Sequence, residues 1–452
     1  MTKSMTDGNP VKLILEFSLP LLLGNILQQA YNMIDSAIVG RVLGSDALGA
    51  VGASSSVQFL VLGFCIGTCA GFGIPIAKYF GAKQPERLKV TVFHSYLITG
   101  IFAVILTLIA CLMCHKIIDI MEVQENIYKD AYTYLLIIFI GIPFTLFYNL
   151  LASMLRAIGD SKTPFIFLAI SAVINIILDF TFIVIVPLGC AGAGLATIIA
   201  QACSGIACFV VIQKKYPLLK LTKDICKYNS YAVKELLIMG VPMGLQYSIT
   251  AIGAMVMQSA NNSLKGVYVS TFAVTSKLKQ LAMCPFDAIA TGVSVFSSQN
   301  LGAGNTDRVK KGIIRGTAIN TAYGLIIGIV LIFSGRAMSL MFLNKSETAV
   351  LDACGEYMKC VGYFFWSLGI LNTTRMSIQG IGYSGMAIFS GVLEMLARIF
   401  VSRNFVAEYG FKAICYTDQV AWIVATIYCI IICVWCVKKF SEKNVIHEKI
   451  KV

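Results

Sequence analysis

The sequence predicts an all-α polytopic membrane protein with twelve transmembrane helices in two pseudo-symmetric six-helix lobes around a central cavity. Of its 452 residues, 57% are hydrophobic and only 13% are charged, about half the charged fraction of ordinary soluble domains. The mean hydropathy is +0.79. Apolar stretches also recur along the whole chain, and its second half repeats its first. A water-soluble protein is excluded, because so few charges could not cover its surface.

The apolar stretches are long enough to cross a bilayer, since a spanning helix needs about 20 residues. The chain is predicted to divide into an N-lobe (1–213), a cytoplasmic linker (214–232), and a C-lobe (233–452) with a short cytoplasmic tail. The predicted spans are 11–40, 48–78, 92–114, 131–155, 164–186, 190–213, 233–260, 268–299, 313–334, 352–374, 386–408 and 415–437.

The net charge of +13 indicates orientation in a membrane. With the N-terminus inside, the inner loops and tails hold most of the Lys and Arg residues, which favours a cytoplasmic position for both termini. A nucleic-acid partner would require a contiguous basic face, so none is predicted. We expect a multi-pass monomer in the lipid bilayer of the cell membrane.

A repeat relates the two halves of the chain to each other. Each half holds six spans, so both copies have the same orientation in the membrane. Secondary transporters place substrates at or near the interface of such repeats. The matching pairs are Pro20 with Pro242, Gly81-Ala82 with Gly302-Ala303, and Arg156–Gly159 with Gln379–Gly382.

Polar side chains follow single faces of three spans in the first half. An Asp at the centre of a spanning helix costs at least about 2.5–3.5 kcal/mol, so each needs a reason. Two facing carboxylates cannot both ionise cheaply, and a proton or small cation would relieve them. The amides could instead hold helices together by hydrogen bonds. Such packing rarely uses two acids, so a functional role is favoured for Asp35 and Asp179. The stripes are Asn25, Gln28, Asn32 and Asp35; Ser171, Asn175 and Asp179; and Thr197 and Gln201.

The second half carries a different polar set. Span eight places Lys277, Gln280 and Asp287 along one stripe, and span eleven places Glu394 and Arg398 four residues apart. The Glu–Arg pair can neutralise itself, so a structural or gating role and direct substrate contact both stay open. The candidates for the substrate cavity are Gln28, Asn32, Gln201, Gln280, Asp287, Glu394 and Arg398.

An ordered set of motifs over essentially the whole chain resembles the multidrug and toxin extrusion (MATE) transporters, in particular their bacterial members. The resemblance implies twelve helices in two lobes and cation-coupled drug export by alternating access. The motifs are Pro20-Leu-Leu-Leu-Gly-Asn25, Tyr31-Asn-Met-Ile-Asp35, Val39-Gly-Arg41, Arg156-Ala-Ile-Gly159-Asp160 and Gln299-Asn-Leu-Gly-Ala303.

The resemblance also implies functional residues. It places the family's N-lobe cation-coupling site at Asp35, Asn175, Asp179 and Thr197, which the polar stripes also contain. One branch of the family has a C-lobe site with acids in spans seven and ten, and this chain has no interior acid in either place. Ion coupling is therefore expected in the N-lobe. Glu394 and Arg398 resemble an acid–base pair of many bacterial members.

Together these patterns predict a secondary active antiporter that exports amphipathic, mostly cationic organic compounds in exchange for H+ or Na+. The alternative is a flippase or exporter of a lipid-linked or anionic substrate, which should carry several intramembrane arginines. The spans as drawn offer Lys277, Lys279 and Arg398. An enzyme is not expected, because the sequence has neither HExxH nor GxxxxGK[ST]. No metal and no cofactor beyond the coupling ion is predicted.

Overall fold

The structure is a computed structural model that describes residues 3–121, 123–221, 228–264 and 266–450. Part of the predicted linker, residues 222–227, lies outside this description. The described residues form helices and turns without a strand. The helices are α1 (Pro10–Val42), α2 (Ser45–Gly81), α3 (Pro85–Ile120), α4 (Glu125–Ile140), α5 (Ile142–Ala157), α6 (Lys162–Phe180), α7 (Cys190–Lys215), α8 (Ser230–Ser263), α9 (Val267–Gly302), α10 (Thr306–Ser339), α11 (Thr348–Gly380), α12 (Ser384–Asn404), α13 (Val406–Tyr409) and α14 (Phe411–Ile450).

These helices account for the twelve predicted spans. Among the described residues, ten helices are long and apolar enough to cross a membrane. The predicted span 131–155 is a pair, α4 and α5, bent by 46° at Gly141. Pro143, which has no N–H to donate, follows the bend. Helix α11 supplies the remaining span with 33 residues, although Arg375 and other charges lower its hydropathy. The chain is a multi-pass, all-α membrane protein.

The helices extend beyond the apolar stretches that predicted them. Helix α3 begins at Pro85 and α10 at Thr306, seven residues before the predicted spans. The charged segments Glu86–Lys89 and Asp307–Lys310 are therefore helical rather than loop. Hydropathy marks where a helix enters hydrocarbon, whereas backbone hydrogen bonding continues the helix into water.

Two compact units make up the chain. The first contains Leu23–Ser248, and the second contains Met5–Leu22 and the residues from Ile249 onward. Helices α1 and α8 are thus each divided between the units, a few residues after Pro20 and Pro242 respectively. The predicted lobe boundaries, at 213 and 233, instead place α1 in the N-lobe and all but the first residues of α8 in the C-lobe.

In the first unit, two glycine pairs bring α2 against the first half of α8. A Cβ atom on Gly71 would lie 2.6 Å from the Cα atom of Gly240, and one on Gly67 would lie 2.9 Å from that of Gly244. On each helix the two glycines are four residues apart, a spacing found in membrane helices whose backbones touch. Side chains larger than hydrogen cannot fit at this crossing.

In the second unit, α10 and α11 approach each other in the same way. A Cβ atom on Gly328 would lie 2.5 Å from the carbonyl oxygen of Gly362, and the converse distance is also 2.5 Å. Next to this crossing, Phe286, Tyr357 and Phe365 are fully buried in the hydrophobic core of the unit. Close backbone packing thus holds α11, which carries Asn372 and Arg375, against α10.

Candidate functional site

The first unit brings two acids together. Asp35 lies two turns before the end of α1, and Asp179 lies one residue before the end of α6. Their carboxyl groups are within hydrogen-bonding reach of each other, a bond that forms when one of them carries a proton. Asp179 is fully buried and Asp35 is half-buried. The stripes of two predicted spans thus meet at these carboxylates.

Polar atoms without partners surround this contact. With both acids ionised, the two carboxylate oxygens of Asp179 and Oδ1 of Asp35 have no hydrogen-bond donor. Both polar atoms of the buried Asn175 amide, one turn before Asp179, also have no partner. Leaving a buried polar group unsatisfied costs about 1–3 kcal/mol. These oxygen atoms therefore have the chemistry to hold a proton or a small cation.

Two tyrosines that the sequence reasoning did not select flank the acids. Tyr31 and Tyr134 are close enough to both carboxylates to interact with their charge. Tyr31 is hydrogen-bonded to Gln28, and Tyr134 is hydrogen-bonded to Gln58. Gln28 thus lies beside the acid pair. Tyr134 and Gln58 belong to no polar stripe, so their position follows only from the packing of helices.

The backbone changes directly after Asp179. Residues Thr181–Ile185 form a π-helical turn, and such turns are frequent at functional sites. Helix α7, which packs against α6, carries Thr197 and Gln201. The Thr197 hydroxyl donates to the carbonyl oxygen of Ala193 at 3.1 Å, and the buried Oε1 atom of Gln201 has no partner.

The other cavity candidates outside span eleven are exposed. Asn32 in the first unit and Gln280 and Asp287 in the second have exposed side chains. Gln280 and Asp287 are seven residues apart and share a face of α9. Asn372 of α11 donates a hydrogen bond from Nδ2 to Oδ1 of Asp287 at 3.1 Å.

Glu394 and Arg398 lie in a larger, buried charge network. Nη2 of Arg398 is 3.3 Å from Oε2 of Glu394, and Nε of Arg398 donates to Oδ1 of Asp418 at 2.9 Å. Lys279 pairs with the other oxygen of Asp418, and Arg375 pairs with the other oxygen of Glu394. Each acid is therefore bound by two basic side chains, which joins α9, α11, α12 and α14.

The sequence reasoning missed Asp418 and Arg375. Asp418 stood inside the last predicted span without an evident partner, and Arg375 fell one residue past the predicted end of span ten. Helix α11 continues to Gly380, so Arg375 is interior and must be added to Lys277, Lys279 and Arg398 as an intramembrane basic residue. The available signal was a basic residue, Arg375, and an acid, Glu394, on consecutive helices, which indicates an ion pair between them.

The MatE family model matches the chain twice, over residues 20–181 and again over residues 242–403. The chain is 32% identical over 390 residues to the probable multidrug resistance protein YoeA of Bacillus subtilis, covering 84% of this chain and 83% of the relative. It is 31% identical over 373 residues to the probable multidrug resistance protein YpnP of the same organism, covering 81% of each chain.

Among solved structures, the chain resembles an outward-facing multidrug resistance MATE family transporter of the MOP superfamily. The TM-score is 0.89 at 20% identity over 97% of both chains, which shows a shared fold. Both halves thus match one family model, the named relatives match over most of their length, and the twelve-helix, two-lobe fold agrees. The chain belongs to the MATE family of multidrug efflux transporters and is a transporter, not an enzyme.

Proposed function

We propose that the protein is a secondary active antiporter that exports amphipathic, mostly cationic organic compounds in exchange for H+ or Na+ by alternating access. The observation that carries this proposal is the contact between Asp35 and Asp179, whose buried oxygens have no donor. Asn175 and Thr197 complete the proposed coupling site. We place both termini in the cytoplasm, and the protein in the cell membrane as a monomer.

The acid pair can couple an ion gradient to transport because its charge can change. One proton or one small cation relieves the repulsion between two ionised carboxylates in a low dielectric. Moving one charge through about 100 mV supplies about 2.3 kcal/mol, which supports a gradient of roughly fiftyfold for a neutral substrate in one-to-one exchange. One-to-one exchange of the ion for a monovalent cation moves no net charge, so it is driven by the concentration gradient of the ion alone. Loading of the ion and loading of a cationic substrate then oppose each other electrostatically.

The burial of the two intramembrane arginines favours cationic over anionic substrates. A flippase for an anionic lipid would need arginines that its substrate can reach. Arg375 and Arg398 are buried and engaged by Glu394, whereas the carboxylate of Asp287 is exposed. The relatives named above are described as probable multidrug resistance proteins, which supports the export of drugs.

Transport in proteoliposomes tests the proposal. With a pH gradient or a Na+ gradient imposed separately, the parent should move ethidium under one of them, which identifies the coupling ion. Asp35→Asn should reduce gradient-driven transport to background, because a neutral amide neither takes up a proton nor supplies the negative charge that balances a cation. Asp46→Asn, which changes an exposed acid at the start of α2, is the matched control and should transport like the parent. Parental transport by Asp35→Asn would overturn the coupling role.

A further inference from the structure

Asp287 differs from the other acids in the apolar part of the second unit. Glu394 and Asp418 are each held by two basic side chains. Asp287 instead accepts a hydrogen bond from an amide, that of Asn372, and forms no ion pair with a described residue. Arg375 is near enough to interact with its charge, but that guanidinium pairs with Glu394. The carboxylate of Asp287 is therefore available to a further partner.

The position of Asp287 also sets it apart. It lies near the middle of α9 and is exposed, although its neighbours Phe286 and Ala288 are fully buried. An exposed carboxylate at this depth of a spanning helix is costly unless it meets water or a charged partner. On the same face, Ser294 is buried two turns later, whereas Gln280 is exposed two turns earlier. Asp287 thus lies at the end of the exposed part of this face.

The backbone around Asp287 is held by two side chains of α10. Pro285 interrupts the hydrogen bonding of α9 two residues earlier. Tyr323 of α10 donates to the carbonyl oxygen of Ala282 at 2.9 Å, and Asn320 donates to that of Phe286 at 3.2 Å. These side chains fix the segment that presents the carboxylate, so its direction is set before any ligand binds.

We propose that Asp287, oriented by Asn372, is the counter-ion for the positively charged nitrogen or phosphorus centre of the exported compound. This inference rests on the proposed function and assigns substrate binding to a residue distinct from the coupling acids. A single carboxylate beside one amide offers few ligands to a metal ion. Ca2+ takes six or more oxygen ligands, and Mg2+ requires octahedral coordination. It suits a large organic cation, which needs one opposite charge and apolar surroundings.

Equilibrium binding to the purified protein tests the inference without any gradient. The probes are tetraphenylphosphonium and tetraphenylborate, which have nearly the same shape and opposite charge. The parent should prefer tetraphenylphosphonium, and Asp287→Asn should weaken its binding by about tenfold to a hundredfold, the usual effect of losing a charge-assisted contact. Binding of tetraphenylborate should not weaken.

Three further variants sharpen the outcome. Asp287→Glu should keep most of the affinity, and Asn372→Ala should cost about threefold to tenfold, because the charge remains but its orientation is lost. Asp352→Asn, an exposed acid of α11 paired with Arg336, is the matched control and should bind like the parent. Asn372→Ala also provides a second reading should Asp287→Asn fold poorly.

The possible failures are distinguishable. If the parent binds tetraphenylphosphonium and Asp287→Asn binds it equally well, this inference is wrong and the antiport proposal stands. If the parent binds tetraphenylborate as tightly as tetraphenylphosphonium, the proposed cationic substrate class falls and this inference falls with it.

Discussion

Buried acids occur in both units, and they differ in what surrounds them. In the first unit, the carboxylate of Asp179 touches that of Asp35 and has no donor when both are ionised. In the second unit, Glu394 and Asp418 are each bound by two cations. Residue type and burial are therefore not enough to assign a role. The donors around a carboxylate decide whether its charge can change.

The repeat shows where the difference arose. In the register that superimposes Gly159 on Gly382, Asn175 falls on Arg398 and Ser171 falls on Glu394. The first unit thus has a neutral amide beside its acids where the second has a guanidinium. In our proposal the first unit takes up a positive ion from solution. In the second unit the guanidinium of Arg398 supplies that positive charge.

The largest expected effect on stability comes from removing one basic side chain of the charge network. Arg398→Ala should lower the free energy of unfolding by about 3–5 kcal/mol, because it leaves Asp418 and Glu394 buried with one basic partner each. Denaturation in detergent measures this loss. Arg336→Ala is the matched control, since its pair with Asp352 is more than half exposed, and it should cost less than about 1 kcal/mol. Equal losses would show that the network is no stronger than a surface pair.

A medium effect is expected at Asp160, a buried acid of the first unit that does have donors. Its carboxylate accepts bonds from the backbone N–H groups of Lys162 and Thr163, both at 3.0 Å, and from the hydroxyl groups of Thr163 and Tyr216. Asp160→Asn should cost about 1–3 kcal/mol of stability, because an amide offers one acceptor oxygen instead of two. The number of coupling ions exchanged for each ethidium should not change. A changed number would mean that Asp160 belongs to the ion-coupling site.

The smallest effect on stability is expected at Asp179. Asp179→Asn removes a buried charge and gives Asp35 a neutral donor, so the free energy of unfolding at neutral pH should stay the same or rise by up to about 1 kcal/mol. Thermal unfolding of the purified variant checks this. A loss of stability beyond the error of that measurement would mean that the acid pair supports the fold and that its difference from the second unit is one of degree.

The sequence predicted the spans and the faces of the first-unit stripes well, because both follow from local periodicity. Four-residue spacing sufficed to place Asn175 and Asp179 on one face. The charge network was seen only in part, because Arg375 fell one residue past its predicted span and because the contacts of Asp418 with Lys279 and Arg398 depend on how the last helix packs. The division of α1 and α8 between units is likewise a property of packing, which no local pattern in either helix reports.

Because the guanidinium of Arg398 is part of the chain, the charge network of the second unit does not depend on the ions in the medium. A cation built into the polypeptide is present in fixed amount in every cell, whatever the salinity or acidity of the medium. It cannot be diluted or competed away. In our proposal the two halves of the duplicated fold therefore differ in function. The charge of the acid pair in the first half changes with the ion concentration outside, whereas the charge of the network in the second half does not.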